Sequence, residues 1–212
     1  MEFWSKHDGI PMIKILEACK KYRVAPMVSF SITSLGGTEY EPGVMKPKDL
    51  IVRIKDLLAK GYLDPATTTV RLDPIVPGVT KIEDLQEIVS ELKTVGITKY
   101  VTSLMQSYGY TEGTSTDRGT IKAMADKGYN WDDYYDRETK GSNKGKLRHY
   151  PKPEVIQEWR EALHKLRDDN GIILESCAFN NLKLDVSTCL DPETIKAVTG
   201  IENLEEATTK ER

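Results

Sequence analysis

Residues 67–78 read TTTVRLDPIVPG, and this stretch decides how the chain is expected to fold. Its first half is β-branched and apolar, like a buried strand, yet Arg71 and Asp73 lie in its middle and Pro74 follows at once. Side chains alternate across a strand, so Arg71 and Asp73 share one face while the valine and leucine beside them share the other. A proline cannot continue a central ladder, so we expect both charges near the carboxyl end of an inner strand.

Strand-like and helix-like segments alternate along the rest of the chain. Helical periodicity occurs over residues 10–22, 47–61, 82–96 and 153–171. Short β-type runs occupy residues 2–5, 25–33, 67–74, 97–104 and 171–177. Such alternation indicates a parallel sheet with helices packed outside it. Five strands are too few to close an eight-stranded barrel, which typically needs about 250 residues.

The sequence therefore predicts an α/β fold, a parallel-stranded partial TIM-type barrel. An open doubly wound sheet is the structural alternative, although no glycine-rich phosphate fingerprint follows the first strand. Residues 106–150 break the alternation because they are polar, rich in glycine and tyrosine, and carry one plausible short helix at about 120–128. We predict one domain over residues 1–212 with an insertion at about 106–150, placed where barrel loops build binding sites.

Bulk composition argues against several functional classes. The formal net charge of −3 opposes general attraction to nucleic acid or anionic membranes. No run of about 18 apolar residues is present, and the first residues lack the basic and apolar regions of a signal peptide. Three cysteines, Cys19, Cys177 and Cys189, are too few for a disulfide framework. These features predict a cytoplasmic protein without a membrane partner.

A basic run at residues 140–149 could still bind nucleic acid locally, although the net charge of the chain is negative. It combines lysines, an arginine and a histidine with nearby tyrosines, which are the ingredients of single-stranded nucleic-acid binding. An acidic run, DDYYDRE, comes just before it, so a solvated loop is favoured over nucleic acid as the explanation.

Polar residues recur at the ends of the other predicted strands, and alternation places each pair on one face. These pairs are Trp4 with Lys6, Ser31 with Thr33, and Glu175 with Cys177. A polar ring at strand carboxyl ends is typical of a barrel ligand site, here for a small polar or phosphorylated ligand. The candidate catalytic residues are Lys6, Arg71, Asp73 and Glu175, and the candidate ligand-binding residues are Trp4, Ser31, Thr33, Ser103 and Tyr108.

The alternative for the two charges of the opening stretch is structural. An unpaired buried charge costs several kcal/mol, whereas a hydrogen-bonded pair survives burial, so Arg71 and Asp73 could simply pair with each other and fill the interior.

The same segments carry a family resemblance. In chain order, FWSKHDGIPMIKIL, MVSFSITSLGGTEYEPGV, RLDPIVPG, ESCAFN and STCLDP resemble an uncharacterised bacterial and phage barrel family. Its members show FWTKNP, FTxTxY…EP, RxDPI, CAE and CID in that order. The family is similar to radical S-adenosylmethionine enzymes and distantly to spore photoproduct lyase. The resemblance covers roughly residues 2–105 and 152–195, and its strength lies in the order and spacing of the motifs rather than in any one of them.

Residues match the family position by position. The matches are Trp4 and Lys6 to FWTK, Ser31 and Thr33 to FTxT, Glu41 and Pro42 to EP, Arg71, Asp73 and Pro74 to RxDP, and Cys177 and Cys189 to the late cysteines. The departures are an earlier start in the relatives, the acidic residue of CAE replaced by Phe179, and a terminal CxC and CxxxCxxC-like motif that this chain lacks. Against the family, the chain looks truncated at both ends.

The resemblance implies a radical S-adenosylmethionine-like lyase or transferase that uses S-adenosylmethionine and a [4Fe–4S] cluster. Such clusters depend on cysteine thiolates, and Cys177 and Cys189 are the implied metal ligands. A missing segment or a second polypeptide would have to supply the remainder. Two alternatives stay open: a non-redox degenerate barrel that binds a phosphorylated or nucleotide-like ligand, and a metal-dependent barrel enzyme that uses carboxylates and histidine. Cys19 is most simply a small core residue.

Overall fold

The secondary structure follows the predicted alternation. The computed structural model describes residues 2–5, 10–22, 27–105, 107–108, 124–138, 148–176, 182 and 184–186. In chain order its elements are β1 (Glu2–Ser5), α1 (Ile10–Lys21), β2 (Met27–Ser31), α2 (Pro47–Ala59), a 3-10 turn (Pro65–Thr67), β3 (Thr68–Arg71), α3 (Ile82–Lys93), β4 (Lys99–Thr102), β5 (Ser107–Tyr108), α4 (Trp131–Tyr134), β6 (Tyr135–Glu138), β7 (Arg148–Pro151), α5 (Pro153–Asn170), β8 (Ile173–Ser176) and β9 (Asp185–Val186).

The main sheet is parallel throughout, with strand order β1-β2-β3-β4-β8-β9. Within the described ranges β1 and β9 are its two edges and do not pair with each other, so the barrel is partial and open. The predicted α/β class and the predicted parallel sheet are confirmed. The two-residue strand β9 was not predicted, because two residues are too few to show an alternating pattern.

The helices α1, α2, α3 and α5 begin where their sequences predict and end within three residues of the predicted ends. Pro47 and Pro153 lie in the first turns of α2 and α5, where a missing N–H costs nothing. Gly171 follows α5 in the left-handed conformation, with φ of 58°, and its N–H bonds the carbonyl oxygens of the last turn. None of the helices in the described part of the chain is long and apolar enough to cross a membrane.

The two faces of the main sheet differ in chemistry. One face packs against the helices and is apolar; Phe30, Val70, Tyr100 and Leu174 are fully buried there. Cys19, on α1, is also buried, as expected of a core residue. The opposite face carries the polar residues, so the mixed strand sequences reflect a parallel sheet with one helix-covered face and one polar face.

The region predicted as an insertion contains more secondary structure than expected. Strands β5, β7 and β6 form a separate antiparallel sheet in that order, and residues 124–126, inside the predicted helix, are helical. Trp131 and Tyr135 are buried here in a second hydrophobic cluster with Leu35 and Val76. This cluster fixes the region to the loops that follow β2 and β3, at the carboxyl edge of the main sheet.

Candidate functional site

A row of polar residues crosses the inner face of the main sheet. The register pairs Ser31 with Arg71, Arg71 with Val101, and Val101 with Glu175. Directly paired residues of parallel strands point to the same face, so these four side chains lie side by side. Ser31, Arg71 and Glu175 are buried, and the small side chain of Val101 separates the arginine from the glutamate. Three of the predicted site residues are thus brought into one row.

Arg71 and Asp73 form a close ion pair near the end of β3. The Arg71 Nη2 donates to Asp73 Oδ2 at 2.6 Å and Nε donates to Oδ1 at 3.3 Å. Their side chains are only 10% and 12% exposed. Ser103, which follows β4, donates its hydroxyl to Asp73 Oδ2 at 3.4 Å. The mutual pairing expected under the structural alternative is therefore present, and a third predicted residue is bonded to it.

Glu175 contacts a lysine that the sequence analysis did not select. Its Oε1 lies 3.8 Å from Lys99 Nζ, and the glutamate is 2% exposed. Lys99 precedes Val101 by two residues, so both share the inner face. Strand parity places Lys99 on the same face as Val101, but Lys99 begins β4, whereas the predicted polar ring consists of residues at strand carboxyl ends. Because a buried carboxylate needs a partner, this pair keeps the Glu175 charge compensated.

Hydroxyl groups near the carboxyl edge take local structural roles. Thr33 accepts a hydrogen bond from the Leu35 N–H at 3.2 Å, which shapes the turn after β2. Thr102 is fully buried and donates to the Leu72 carbonyl oxygen at 3.0 Å, tying β4 to the segment after β3. These bonds hold the edge of the sheet on which Arg71 and Asp73 lie.

Several candidate residues cannot be placed by their side chains. Lys6, Cys177 and Cys189 lie outside the described residues. Trp4 and Tyr108 are described by backbone only: Trp4 pairs with Ser29 in the register, and Tyr108 pairs with Arg148 in the smaller sheet. Among the described residues, histidine, cysteine, aspartate and glutamate form no group of three or more that could hold a metal ion.

The family model described as a domain of unknown function, DUF1848, matches residues 1–212. The chain belongs to the DUF1848 family. This confirms the expected membership of an uncharacterised family. No curated protein matches this DUF1848 sequence.

Solved structures of spore photoproduct lyase share the fold of this DUF1848 chain. A cysteine-to-alanine mutant of that enzyme has a TM-score of 0.58 at 13% identity, over 82% of this chain and 49% of the lyase chain. A mutant with bound AdoMet and dinucleoside spore photoproduct has a TM-score of 0.56 at 13% identity, with the same coverage. The lyase complexed with dinucleoside spore photoproduct gives the same values.

These matches show what fold the chain shares with the lyase and how much of the lyase chain it covers. Identity this low shows a shared fold, which confirms the expected likeness to spore photoproduct lyase at that level. The DUF1848 chain spans about half the length of the lyase chains that it matches.

Proposed function

We propose that this chain is a radical S-adenosylmethionine-like barrel that binds a small polar or anionic ligand at the carboxyl ends of its strands. The observation that carries the proposal is the inner-face row of Ser31, Arg71 and Glu175, extended by Asp73 and Ser103, on a sheet that shares its fold with an AdoMet-bound lyase. Ligands of parallel α/β folds bind at this edge of the sheet.

The arrangement supplies the chemistry that a polar ligand needs. The guanidinium of Arg71 has donors in a rigid fork that suits carboxylate or phosphate oxygens. Asp73 orients it through two hydrogen bonds, so its direction is fixed before any ligand arrives. Ser103 is half-buried and adds a hydroxyl beside the pair. We assign Arg71 and Ser103 to ligand binding and Asp73 to positioning the guanidinium.

The described residues do not fit an iron–sulfur cluster. Cys19, the free cysteine among them, is buried in α1, and the described part of the chain contains no group of three metal ligands. We propose that cluster ligands come from Cys177 and Cys189 together with thiolates on another segment or a second polypeptide. The proposed residues bind and orient a ligand.

Ligand binding and metal content test this proposal together. The full chain is reconstituted anaerobically with iron and sulfide, and its iron content, visible absorbance and AdoMet affinity are measured with and without iron. We expect measurable AdoMet binding that Arg71→Lys weakens by roughly tenfold, since an ammonium cannot replace the bidentate fork.

Two serines provide a matched pair of variants. Ser103 and Ser34 are both half-buried, and each donates to a neighbour at 3.4 Å, Ser103 to Asp73 and Ser34 to Thr80 Oγ1. Ser103→Ala should weaken AdoMet binding and Ser34→Ala should not. A chain that binds neither iron nor AdoMet would overturn the radical assignment, and binding of a nucleotide instead would establish the non-redox alternative.

A further inference from the structure

A cavity of about 340 Å³ opens beside the polar row, at the same edge of the sheet. Its walls include Leu35 from the loop after β2, Pro74 and Met105 from the segments after β3 and β4, and Met124 from the inserted region. The volume lies within the range of about 300–1,000 Å³ that is usual for small-molecule pockets. Most of the lining is apolar, and methionine side chains adapt their shape to a bound group.

A rigid turn carries an acidic residue into this lining. The backbone of Glu41 donates to the Thr38 carbonyl oxygen at 3.2 Å and its own carbonyl oxygen accepts from the Gly37 N–H at 3.0 Å. Gly37 has φ of 72°, which favours glycine, and a Cβ at Gly36 would overlap the Met45 carbonyl oxygen. The turn therefore fixes where the Glu41 side chain begins.

The Glu41 carboxylate is left incompletely bonded. Its Oε2 atom is buried and has no hydrogen-bond partner among the described residues. A buried acceptor without a partner costs about 1–3 kcal/mol, and more when it is charged. Because the same turn could carry a leucine without that cost, the position of this oxygen calls for a donor that the described residues do not provide.

The nearby lysine does not supply that donor. Lys127 Nζ lies 3.4 Å from Glu39 Oε2, donates to the Glu39 carbonyl oxygen at 2.7 Å, and lies 4.9 Å from the centre of the Tyr40 ring. The ammonium is thus engaged by Glu39, and within the described ranges no cation pairs with Glu41. The cavity keeps one carboxylate charge that no described cation neutralises.

We propose that this cavity binds a small molecule with a primary ammonium or amidinium group on an apolar body. The cationic group donates a charge-assisted hydrogen bond to the carboxylate of Glu41, a residue that lines the cavity, and such bonds are stronger than neutral ones. The apolar body lies against Met105 and Met124. The proposal concerns a site separate from Arg71 and does not depend on the ligand of the polar row.

A pair of probes that differ only in the cationic group tests whether the cavity recognises a positive charge. Benzylamine and benzyl alcohol are titrated into full-length protein whose six methionine methyl groups carry ¹³C. Benzylamine should shift the Met105 and Met124 signals and leave the signal of Met27, at the opposite end of β2, unchanged. Benzyl alcohol should bind at least about tenfold more weakly. Equal affinities, or shifts that do not include Met105 and Met124, would overturn the proposal.

Two glutamate variants then locate the acceptor. Glu41→Gln should weaken benzylamine binding by about tenfold while leaving benzyl alcohol unchanged. Glu83→Gln, an exposed position in the first turn of α3, removes the same charge away from the cavity and should have no effect. We expect Glu41→Gln to melt at or above the wild-type temperature, because it removes the charge of a half-buried carboxylate whose Oε2 atom has no partner among the described residues. Unchanged benzylamine affinity in a folded Glu41→Gln variant, or a marked loss of stability in that variant, would contradict the inference.

Discussion

Arg71 and Asp73 are buried so far that removing either partner should lower the stability of the fold. Both side chains are nearly buried, and the aspartate accepts from Ser103 as well. Taking a charge out of water costs several kcal/mol, which only the partner offsets. A buried ion pair of this kind fixes the orientation of its two side chains more than it raises the free energy of unfolding. Two apolar residues of similar volume often give the same stability.

This balance leads to a prediction for single and double variants. Arg71→Met and Asp73→Leu should each lower the free energy of unfolding by about 3–5 kcal/mol, because each leaves a buried charge uncompensated. The double variant should lose at least about 1 kcal/mol less than the sum of the two single losses. Urea denaturation of the four proteins measures these differences.

An exposed ion pair is the appropriate control. Lys165 Nζ lies 2.7 Å from Asp169 Oδ2 on the surface of α5, and Lys165→Met should leave the unfolding midpoint nearly unchanged. Losses that simply add in the double variant would show that Arg71 and Asp73 act through other partners rather than through each other.

Sequence parity predicted the inner-face row because the period of a strand is fixed at two residues. Ser31, Arg71 and Glu175 could be assigned to one face without knowledge of the register. The bond from the Leu35 N–H to Thr33 depends on turn geometry that the local sequence does not reveal. Which hydroxyl shapes a turn could therefore not be predicted from the strand pattern.

At the scale of elements, the loop between β3 and α3 is clamped by the inserted region. The Tyr134 ring of α4 lies against Gly78, and Tyr129, stacked on Tyr134 with ring centres 5.6 Å apart, donates to the Pro77 carbonyl oxygen at 2.7 Å. Gly78 adopts φ of 78°, and a Cβ there would overlap the tyrosine ring. The same loop contains Asp73, so this packing bears on the polar site.

A pair of glycine variants separates backbone strain from this contact. Gly78→Ala should cost about 3 kcal/mol, since a left-handed conformation and an overpacked contact combine. Gly128 has a similar φ of 84° with nothing within 4 Å of an added Cβ, so Gly128→Ala should cost only about 1 kcal/mol. Thermal and urea unfolding measure both values.

Removal of the Tyr134 ring, which the added methyl group at residue 78 would overlap, provides the control. Tyr134→Ala combined with Gly78→Ala should cost less than the two changes added together, because the added methyl group then has room. If both alanine variants lost the same free energy of unfolding, the Tyr134 ring would be able to move away from residue 78, and the proposed contact would not restrain the loop.

Long elements were predictable and short ones were not. Helices α2 and α5 carry a proline at the start, a glycine at the end and an apolar stripe between them, so several independent features agree. Strands β5 and β9 have two residues each, and their existence depends on partners far along the chain. Local patterns cannot specify such strands, because pairing in a sheet is decided by tertiary contacts.

At the scale of the whole molecule, the described residues form a parallel sheet with a helix-covered apolar face and a polar inner face, and its edge strands β1 and β9 do not pair with each other. The parallel direction of the strands followed from the alternation of elements, and the partial barrel followed from the number of strands. The chain covers about half of the spore photoproduct lyase chains with the same fold. The order of the sequence motifs was enough to indicate this likeness. The shared fold does not specify a ligand, because ligand binding depends on individual side chains and only 13% of the aligned residues are identical.

Buried tyrosines in both hydrophobic clusters make the stability of the molecule sensitive to alkaline pH. Burial raises the pKa of Tyr100, Tyr129 and Tyr135 well above the ordinary value of about 10. Below that value the phenols are protonated in the folded and unfolded chain alike, so their contribution is complete. Above it the unfolded chain releases protons that the folded chain keeps, and the free energy of unfolding falls as pH rises toward the folded pKa.

We therefore expect the free energy of unfolding to decrease above about pH 10, by up to about 1.4 kcal/mol per pH unit for each of these tyrosines. Phenolate absorbance should show that at least three of the ten tyrosines ionise only as the protein unfolds. Tyr100→Phe should make the decrease shallower by one proton. A titration in which all ten phenols ionise together before unfolding would contradict the burial of both clusters, and with it the packing of the inserted region on the carboxyl edge of the sheet.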